Sequence, residues 1–266
     1  MDKFLSRQLF AIVYDKKNKV TMGDFNNSEV CLEGWIKTNR NNGSIGFIEF
    51  NDGTTFKNIQ IVYDQAKVKD FDKLGKLATG EAISVVGNFV LTPDAKQPFE
   101  INAKEIKSIG TCPEDYPLQK KRHSFEFLRD IAHLRPRANT FNAVNRVRNA
   151  LATAIHTYFQ SEGFMWVHTP IITSNDAEGA GETFNVATGK DQTKFFGKPV
   201  CLTVSGQLHV ETFAMAFRDV YTFGPTFRSE NSNTKTHASE FWMIEPEMAF
   251  CDLNQDMEVI EKCIKY

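Results

Sequence analysis

The sequence predicts two folded regions of different class, an all-β barrel followed by an α+β domain. Residues 1 to about 111 contain five runs of alternating apolar and polar residues separated by turn signals, which is typical of strands joined by hairpins. From about residue 138, apolar residues recur at helical spacing before strand-like runs return. A length of 266 residues accommodates two domains of ordinary size.

The first region contains five strand candidates, and Gly-, Asn- and Pro-containing turns separate several of them. The candidates are residues 29–40, 44–53, 57–64, 82–92 and 99–110. The turns are NNG at 41–43, NDG at 51–53 and TPDAKQP at 92–98. With a helix expected at 64–74, this pattern fits an oligonucleotide-binding barrel (OB-fold) over residues 1–111. Another small β-barrel or a sandwich fits the strand count as well.

Residues 112–137 differ in composition, with prolines at 113, 117 and 136. Between 119 and 137, six Lys and Arg residues stand against two acids, Glu126 and Asp130. A basic segment bounded by prolines predicts a hinge near a polyanion. A solvated linker would explain the same charge.

Composition predicts a cytoplasmic protein without a membrane span. The net charge is −2, and no apolar run approaches the length of about 18 residues that a membrane helix needs. The N-terminus lacks the apolar core of a secretory signal. The five cysteines form no C-x-x-C pair, which argues against a zinc site or a disulfide framework.

The α+β region, residues 138–266, begins with a predicted helix. Its apolar residues are spaced by three or four, at Phe141, Val144, Val147, Leu151, Ile155 and Phe159. Gly163 is predicted to be its C-terminal cap. The following FMWVHTPIIT predicts a strand with Pro170 inside it, at a sheet edge or a bulge.

The most informative stretch is Phe227 to Glu247, FRSENSNTKTHASEFWMIEPE. Strand-like residues flank a polar loop, so two antiparallel strands are expected, with cations at the base of the loop. Arginine and histidine can bind phosphates, a phenylalanine can stack on a purine, and a glutamate can accept from an exocyclic amine. This hairpin therefore contains the groups needed to bind ATP.

The stretch resembles motif 2 of the class II aminoacyl-tRNA synthetases, F-R-x-E, a variable loop and R/H-x-x-E-F. The loop, with ENSNT and H-x-x-EFWM-x-EPE, resembles the asparaginyl members of that family. The helix, Gly163 and the strand with Pro170 resemble motif 1, which forms the dimer interface in the family. The resemblance implies an antiparallel class II catalytic fold, with Pro170 at a dimer interface.

The resemblance also assigns roles in ATP binding and catalysis. It implies that Arg228 contacts the α-phosphate and the substrate carboxylate together, which a permanently charged planar guanidinium can do. Glu230 would accept from the adenine amino group, His237 would reach the terminal phosphates, and Phe241 would stack on adenine. Glu240 would orient its neighbours. The structural alternatives are an arginine paired with Glu230 or Glu240 and a phenylalanine in the core.

The stretch LTVSGQLHVET, residues 202–212, resembles the S-x-Q-L segment of the aspartyl and asparaginyl members. It implies that Ser205 and Gln207 line the amino-acid pocket, with Gln207 near the substrate ammonium. Glu178, in the loop NDAEGAGETF, would add a negative charge for that ammonium. An ordinary flexible loop is the alternative for this last segment.

Glu211 carries the prediction of substrate specificity. The aspartyl members have a lysine just ahead of it, where this chain has Val210. A glutamate accepts from a side-chain amide but repels a carboxylate, by roughly 4 kcal/mol at about 4 Å and an effective dielectric constant of about 20. Asparagine is therefore the expected substrate. An exposed helix glutamate is the alternative.

In the barrel, Arg40, Phe47 and Gln60 lie where related synthetases contact the anticodon. Phe47 can stack on an unpaired base, Gln60 can read a base edge, and Arg40 can bind phosphate. Phe47 could instead be a core residue, but period 2 puts it on one face with Glu49, which favours exposure.

A third family motif, a glycine-rich strand and helix ending in an arginine, has no counterpart after motif 2. By resemblance the Mg²⁺ ligands are expected beyond residue 266, and no metal ligand is predicted within the chain. We therefore expect the anticodon domain and only the first part of a catalytic domain, with little activity alone.

The resemblance implies ATP-dependent ligation of asparagine to tRNA(Asn) through an asparaginyl-adenylate, by a homodimer in the full-length protein. Three alternatives stay open. An aspartyl-tRNA synthetase is disfavoured by Glu211 and the ENSNT loop. A non-catalytic tRNA-binding OB module with a degenerate synthetase-like domain is disfavoured by the intact motif 2 residues. An asparagine synthetase on the same catalytic fold is disfavoured by the attached barrel.

Overall fold

The computed structural model describes residues 3–14, 23–177, 179, 182–188, 196–232 and 234–266. The chain divides into two compact units, Met1–Arg146 and Val147–Tyr266. The α-helices are α1 (Ser6–Tyr14), α2 (Phe71–Leu74), α3 (Phe125–Asp130), α4 (Asn139–Ser161), α5 (Gln207–Phe217) and α6 (Leu253–Lys265), with a 3-10 turn at Arg135–Arg137. None of the helices in the described ranges is long and apolar enough to cross a membrane.

The first unit is built on a closed five-stranded barrel. Its strands are β1 (Glu29–Asn41), β2 (Ile45–Asn51), β3 (Ile59–Asp64), β4 (Ala82–Leu91) and β5 (Phe99–Gly110). They close in the order β1-β2-β3-β5-β4, and all pairs are antiparallel except β3 with β5. The five predicted strands are confirmed within a few residues at each end, and closure excludes the sandwich.

Alternation of side chains builds the barrel core. Along β2, Ile48 and Phe50 are fully buried, whereas Phe47 and Glu49 are half-buried on the outer face, as period 2 predicts. Gly46 lies against the ring of Tyr63, and a Cβ at this position would meet that ring at 1.9 Å. A side chain at position 46 would therefore displace a buried tyrosine.

The helix predicted over residues 64–74 is largely wrong. Turns occupy residues 65–70, and only α2 is helical. Phe71 and Leu74 bury their side chains in the barrel core, and Asp70 precedes them with a left-handed backbone (φ 56°). These two core contacts are enough to hold one helical turn. The segment lacks the longer apolar stripe that would stabilise further turns.

In the described residues of the second unit, the strands form two small sheets. One has the order β11 (Glu240–Met248), β10 (Asp219–Phe227) and β6 (Met165–Trp166), and the other β7 (Ile172–Thr173), β9 (Val200–Leu202) and β8 (Asn185–Val186). The predicted hairpin of two antiparallel strands joined by a polar loop is confirmed as β10 and β11.

The single strand predicted for residues 164–173 is wrong, because the segment divides between the two sheets. β6 pairs in parallel with β10, and β7 pairs antiparallel with β9. Pro170 lies exposed in the break between them. A proline has no N–H to donate to a ladder, so pairing with one neighbour cannot continue through this position.

Helices cover both faces of the β10–β11 sheet. On one face, Tyr158 and Phe159 of α4 pack with Phe164 and Tyr221. On the other, Val210 and Ala214 of α5 pack with Val167 and Val220. The helix α4 ends before Gly163, which has φ +88°, so the predicted glycine cap is confirmed. The candidate site described below lies on the α5 face.

Candidate functional site

Strand register gathers one set of side chains on the α5 face of the hairpin. Residues 226, 224, 222 and 220 of β10 pair with residues 241, 243, 245 and 247 of β11. Because successive residues alternate between faces, Phe241, Met243, Glu245 and Glu247 share one face. Arg228 continues the same alternation beyond β10, and its backbone N–H bonds the carbonyl of Ser239.

Arg228 and Phe241, predicted from motif 2, are brought together. The guanidinium carbon lies 5.4 Å from the centre of the Phe241 ring. Its Nη2 also lies 3.5 Å from the carbonyl oxygen of Val204 and 3.9 Å from the sulfur of Met243. These contacts direct the cation across the face of β11 towards the segment that precedes α5.

Ser205 is buried and donates a hydrogen bond from Oγ to Glu245 Oε1. The other carboxylate oxygen of Glu245 accepts from the backbone N–H of Gly206 at 3.1 Å. A Cβ at Gly206 would come within 2.8 Å of Thr169 and Thr222, so a glycine is needed where this backbone meets the sheet. The start of α5 is thus anchored to β11 through one carboxylate.

Gln207 and Glu211 lie one turn apart on α5 and are exposed. The amide Nε2 of Gln207 donates to Glu211 Oε1 at 2.9 Å. The two predicted pocket residues therefore contact each other directly. The bond fixes one oxygen of the Glu211 carboxylate and leaves the second as an acceptor.

Glu247 lies near three other carboxylates. Burial, followed by the charges of Glu211, Glu245 and Asp256, raises the pKa of Glu247 to about 6 from 4.5. Because Glu211 and Glu245 both lie on this side of the sheet, the face is negative at the end away from Arg228. A positively charged group is attracted to that end.

The other two residues predicted from the motif 2 loop are exposed to solvent. Glu230 and His237 are both exposed, and His237 Nδ1 contacts the hydroxyl of Thr234. Glu240 points to the opposite face of β11 from Phe241, so it does not join this set. Glu178 lies outside the described residues.

Sequence reasoning missed Glu245 and Glu247. The signal was present in the EPE sequence, because a period of two counted from Phe241 passes through residues 243, 245 and 247. The contact between Glu245 and Ser205 joins positions 40 residues apart, and no local pattern encodes such a pairing.

The arrangement suits a zwitterion. The guanidinium of Arg228 reaches Met243, and Glu245 follows two residues later, roughly 7 Å along the strand. An α-amino acid that accepts at its carboxylate and donates from its ammonium, each through a bond of about 2.8 Å, spans a gap of that size. Phe241 lies beside the cation and presents a flat apolar ring.

The three residues predicted for base recognition share the outer face of the barrel. Arg40 of β1 is directly opposite Phe47 of β2, and Glu49 of β2 is opposite Gln60 of β3. Arg40 is exposed, while Phe47 and Gln60 are half-buried. Gln60 Nε2 donates to Glu100 Oε2 of β5 at 3.2 Å, which orients its amide.

The apolar stripe of α4 is only partly covered within this chain. Phe159 is buried, but Val147 and Leu151 expose 57% and 58% of their surface. Met165 and Trp166 of β6 are exposed as well. In the part of the chain that the structure describes, no group of three or more His, Cys, Asp or Glu side chains could hold a metal ion.

Comparisons with known proteins find matches for both parts of the chain. Residues 124–266 match the family described as tRNA synthetases class II (D, K and N), and residues 30–109 match the OB-fold nucleic acid binding domain. The chain is 58% identical over 255 residues to an asparagine–tRNA ligase of Clostridium botulinum (strain Alaska E43 / Type E3), covering 91% of this chain and 55% of that protein. An asparagine–tRNA ligase of Acholeplasma laidlawii is 56% identical over 251 residues, covering 90% and 54%.

Among solved structures, the asparaginyl-tRNA synthetase from Pyrococcus horikoshii complexed with asparaginyl-adenylate matches with a TM-score of 0.81 and 28% identity, over 91% of this chain and 55% of that one. A putative aspartyl-tRNA synthetase from Leishmania major Friedlin shares the fold, with a TM-score of 0.75 and 18% identity, over 96% and 50%. The chain spans about half the length of the curated relatives it matches. The barrel is thus the predicted OB-fold, and the second unit has the predicted class II fold in part. Because the family match extends over more than half of the residues, the chain belongs to the class II tRNA synthetases of the D, K and N group.

Proposed function

We propose that this chain carries the tRNA-binding barrel and the first part of the catalytic domain of an enzyme that joins asparagine to tRNA(Asn). The observation that carries the proposal is the contact between Arg228 and Phe241 on the sheet face that also holds Glu245. The relatives that are 56–58% identical to the chain are asparagine–tRNA ligases, which supports the same reaction.

In the proposed reaction, the carboxylate of asparagine attacks the α-phosphate of ATP, which forms the asparaginyl-adenylate and breaks the bond to the β-phosphate, so that pyrophosphate leaves. Both reactants are anions, so the site must offset their repulsion with fixed positive charge. Arg228 supplies a planar cation that can contact both groups, and Phe241 offers its ring to adenine. Glu245 would bind the substrate ammonium at the negative end. Glu230 and His237, exposed in the loop, would contact adenine and the terminal phosphates.

Asparagine is favoured over aspartate by two features of α5. Glu211 has one oxygen engaged by Gln207, and the other would accept from the substrate amide. Val210 is fully buried among Val167, Ala214 and Val220, so a lysine in its place would bury a charge. Glu178 is retained as a proposed partner of the ammonium.

On the barrel, Arg40, Phe47 and Gln60 would contact the anticodon of tRNA(Asn). Their common outer face supports this, because a base stacked on Phe47 would lie near both a cation and an amide. We propose residues 1–111 as the anticodon domain, 112–137 as a hinge and 138–266 as the catalytic part.

Three further features belong to the same proposal. A homodimer would cover Val147 and Leu151 of α4, with Pro170 at its interface. Mg²⁺, which assists phosphate chemistry by neutralising charge, would be bound by residues in the part of the relatives that this chain does not cover. A cytoplasmic location is the third of these proposed features.

The test is ATP–pyrophosphate exchange with asparagine and with aspartate, on this chain and on a form extended to the length of its relatives. We expect exchange with asparagine in the extended form and little in the 266-residue chain. Exchange driven by aspartate would contradict the role of Glu211. No exchange in either form, with tRNA binding retained, would favour a non-catalytic RNA-binding protein.

A further inference from the structure

The first unit contains a cavity separate from the site on β10 and β11. It has a volume of about 1140 Å³ and lies between the outer face of β1 and β2 and the segment of residues 116–142. Five Lys and Arg residues line it, against one acid, Glu49. The cations are Lys37, Lys120, Lys121, Arg122 and Arg137. An excess of positive charge in a partly enclosed space attracts an anion.

Two of these cations, Lys37 and Arg137, are linked at one wall of the cavity. Lys37 Nζ donates to the backbone carbonyl of Arg137 at 3.1 Å, which places the ammonium beside the backbone of that residue. Burial, followed by the charge of Arg137, lowers the pKa of Lys37. Arg137 Nη1 donates to the hydroxyl of Tyr116 at 3.3 Å, and its guanidinium lies over that ring. An anion between the two cations would offset their repulsion.

The walls provide a polar and an aromatic contact. Thr38 is 8% exposed and lines the cavity, and among the described residues its hydroxyl has no hydrogen-bond partner. An oxygen of a bound group could supply that partner after a small shift, since a buried hydroxyl is costly to leave unbonded. Trp35 and Phe125 line the cavity with exposed rings, and such rings stack on bases.

We propose that this cavity binds a nucleoside polyphosphate, with its phosphates between Lys37 and Arg137 and its base against an aromatic wall. The cavity is partly open to solvent and offers both cations and aromatic rings, which suits a ligand that carries phosphates and a base in one molecule. The proposal stands independently of the site around Arg228.

The test is isothermal titration calorimetry of the 266-residue chain with GTP. GTP is chosen because the proposed adenine site around Arg228 recognises an exocyclic amine that guanine lacks at that position. We expect Lys37→Met and Arg137→Met each to weaken GTP binding by about tenfold or more. Lys121→Gln, at an exposed position that poses little risk to folding, should weaken it less, by about threefold.

Lys67→Met is the matched control, because Lys67 is exposed on the barrel and does not line the cavity. It should leave GTP binding unchanged. Absence of GTP binding at millimolar concentration would overturn the proposal. So would a GTP affinity in the Lys37, Arg137 and Lys121 variants that equals the affinity of the parent chain. A Lys37-dependent affinity for a short RNA duplex, without affinity for GTP, would also overturn it and identify an RNA backbone as the phosphate source.

Discussion

The guanidinium of Arg228 lies 5.4 Å from the ring centre of Phe241, although 13 positions separate the two residues in the chain. The register of β10 and β11 produces this contact, because Thr226 is opposite Phe241 and Arg228 follows on the same face. A cation and an aromatic ring therefore meet at the base of the polar loop.

Replacing Arg228 with lysine removes the planar fork but keeps the charge. In the extended form, we expect asparagine-dependent ATP–pyrophosphate exchange to fall by at least about 100-fold, the usual effect of losing one fixed donor to a developing charge. Arg218→Lys is the control, because Arg218 lies beside the other end of β10 and is exposed. A similar loss in both variants would contradict the special role of Arg228.

Phe241→Ala tests stacking on adenine. We expect the KM for ATP to rise by about tenfold or more, since base stacking on an aromatic ring contributes about 1–3 kcal/mol, with little change in the KM for asparagine. Trp242→Ala removes a ring from the opposite face of β11 and should not change the KM for ATP. An unchanged KM in the Phe241 variant would indicate that the ring serves packing alone.

The sequence predicted those parts of the fold whose signals are local. The barrel strands alternate apolar and polar residues, so the pattern alone places Phe47 and Ile48 on opposite faces. The strand through Pro170 was mispredicted because the pattern of FMWVHTPIIT does not tell which neighbour each half pairs with. Pairing depends on residues more than 25 positions away.

The same distinction holds for the candidate site, where residues of one contiguous motif were predicted and residues that depend on distant segments were not. Arg228 and Phe241 came from one contiguous motif, and the structure brings them into contact. Glu245 was missed because its role depends on Ser205 and Gly206, which a different element supplies. Glu240, expected to orient its neighbours, adjoins Phe241 in the chain but lies on the opposite face of β11, because adjacent strand residues face opposite ways.

Glu211→Gln tests discrimination between asparagine and aspartate. The negative charge is expected to repel the aspartate carboxylate by roughly 4 kcal/mol, so the variant should lose a preference for asparagine of up to about 1000-fold. The comparison is kcat/KM for exchange with each amino acid. Gln207→Ala, which removes the bond to Glu211 without changing charge, should weaken asparagine binding more than it changes the ratio. An unaltered ratio in the Glu211 variant would argue against its role.

Phe47→Ala tests base recognition by the barrel. Because Phe47 lies half-buried on the outer face, its removal should leave the barrel folded and weaken tRNA(Asn) binding by about tenfold. Filter binding with tRNA(Asn) and with an anticodon-swapped transcript measures the effect. Ile45→Ala, on the same face of β2, is the control. Equal weakening for both transcripts would show that the ring does not read the anticodon.

Glu247→Gln tests the carboxylate cluster through pH-dependent stability. The pKa of Glu247 is about 6 in the folded protein and 4.5 ordinarily, so the folded state binds this proton more tightly than the unfolded chain. Protonation therefore stabilises the fold, and that stabilisation is present below pH 4.5 and is lost as the pH rises through about 6. Since Glu247 is only half-buried, solvent screening reduces the effect.

The glutamine variant stays neutral at all pH values, so it should be more stable than the parent chain above pH 6 and similar to it below pH 4.5. We expect a Tm higher by about 2 °C at pH 7.5, with the difference disappearing in acid. Glu240→Gln, an exposed position on the opposite face of the same strand, should show no such dependence. A constant difference in Tm across the pH range would mean that the substitution acts through packing, because only a titrating charge makes the gain follow the ionisation of Glu247.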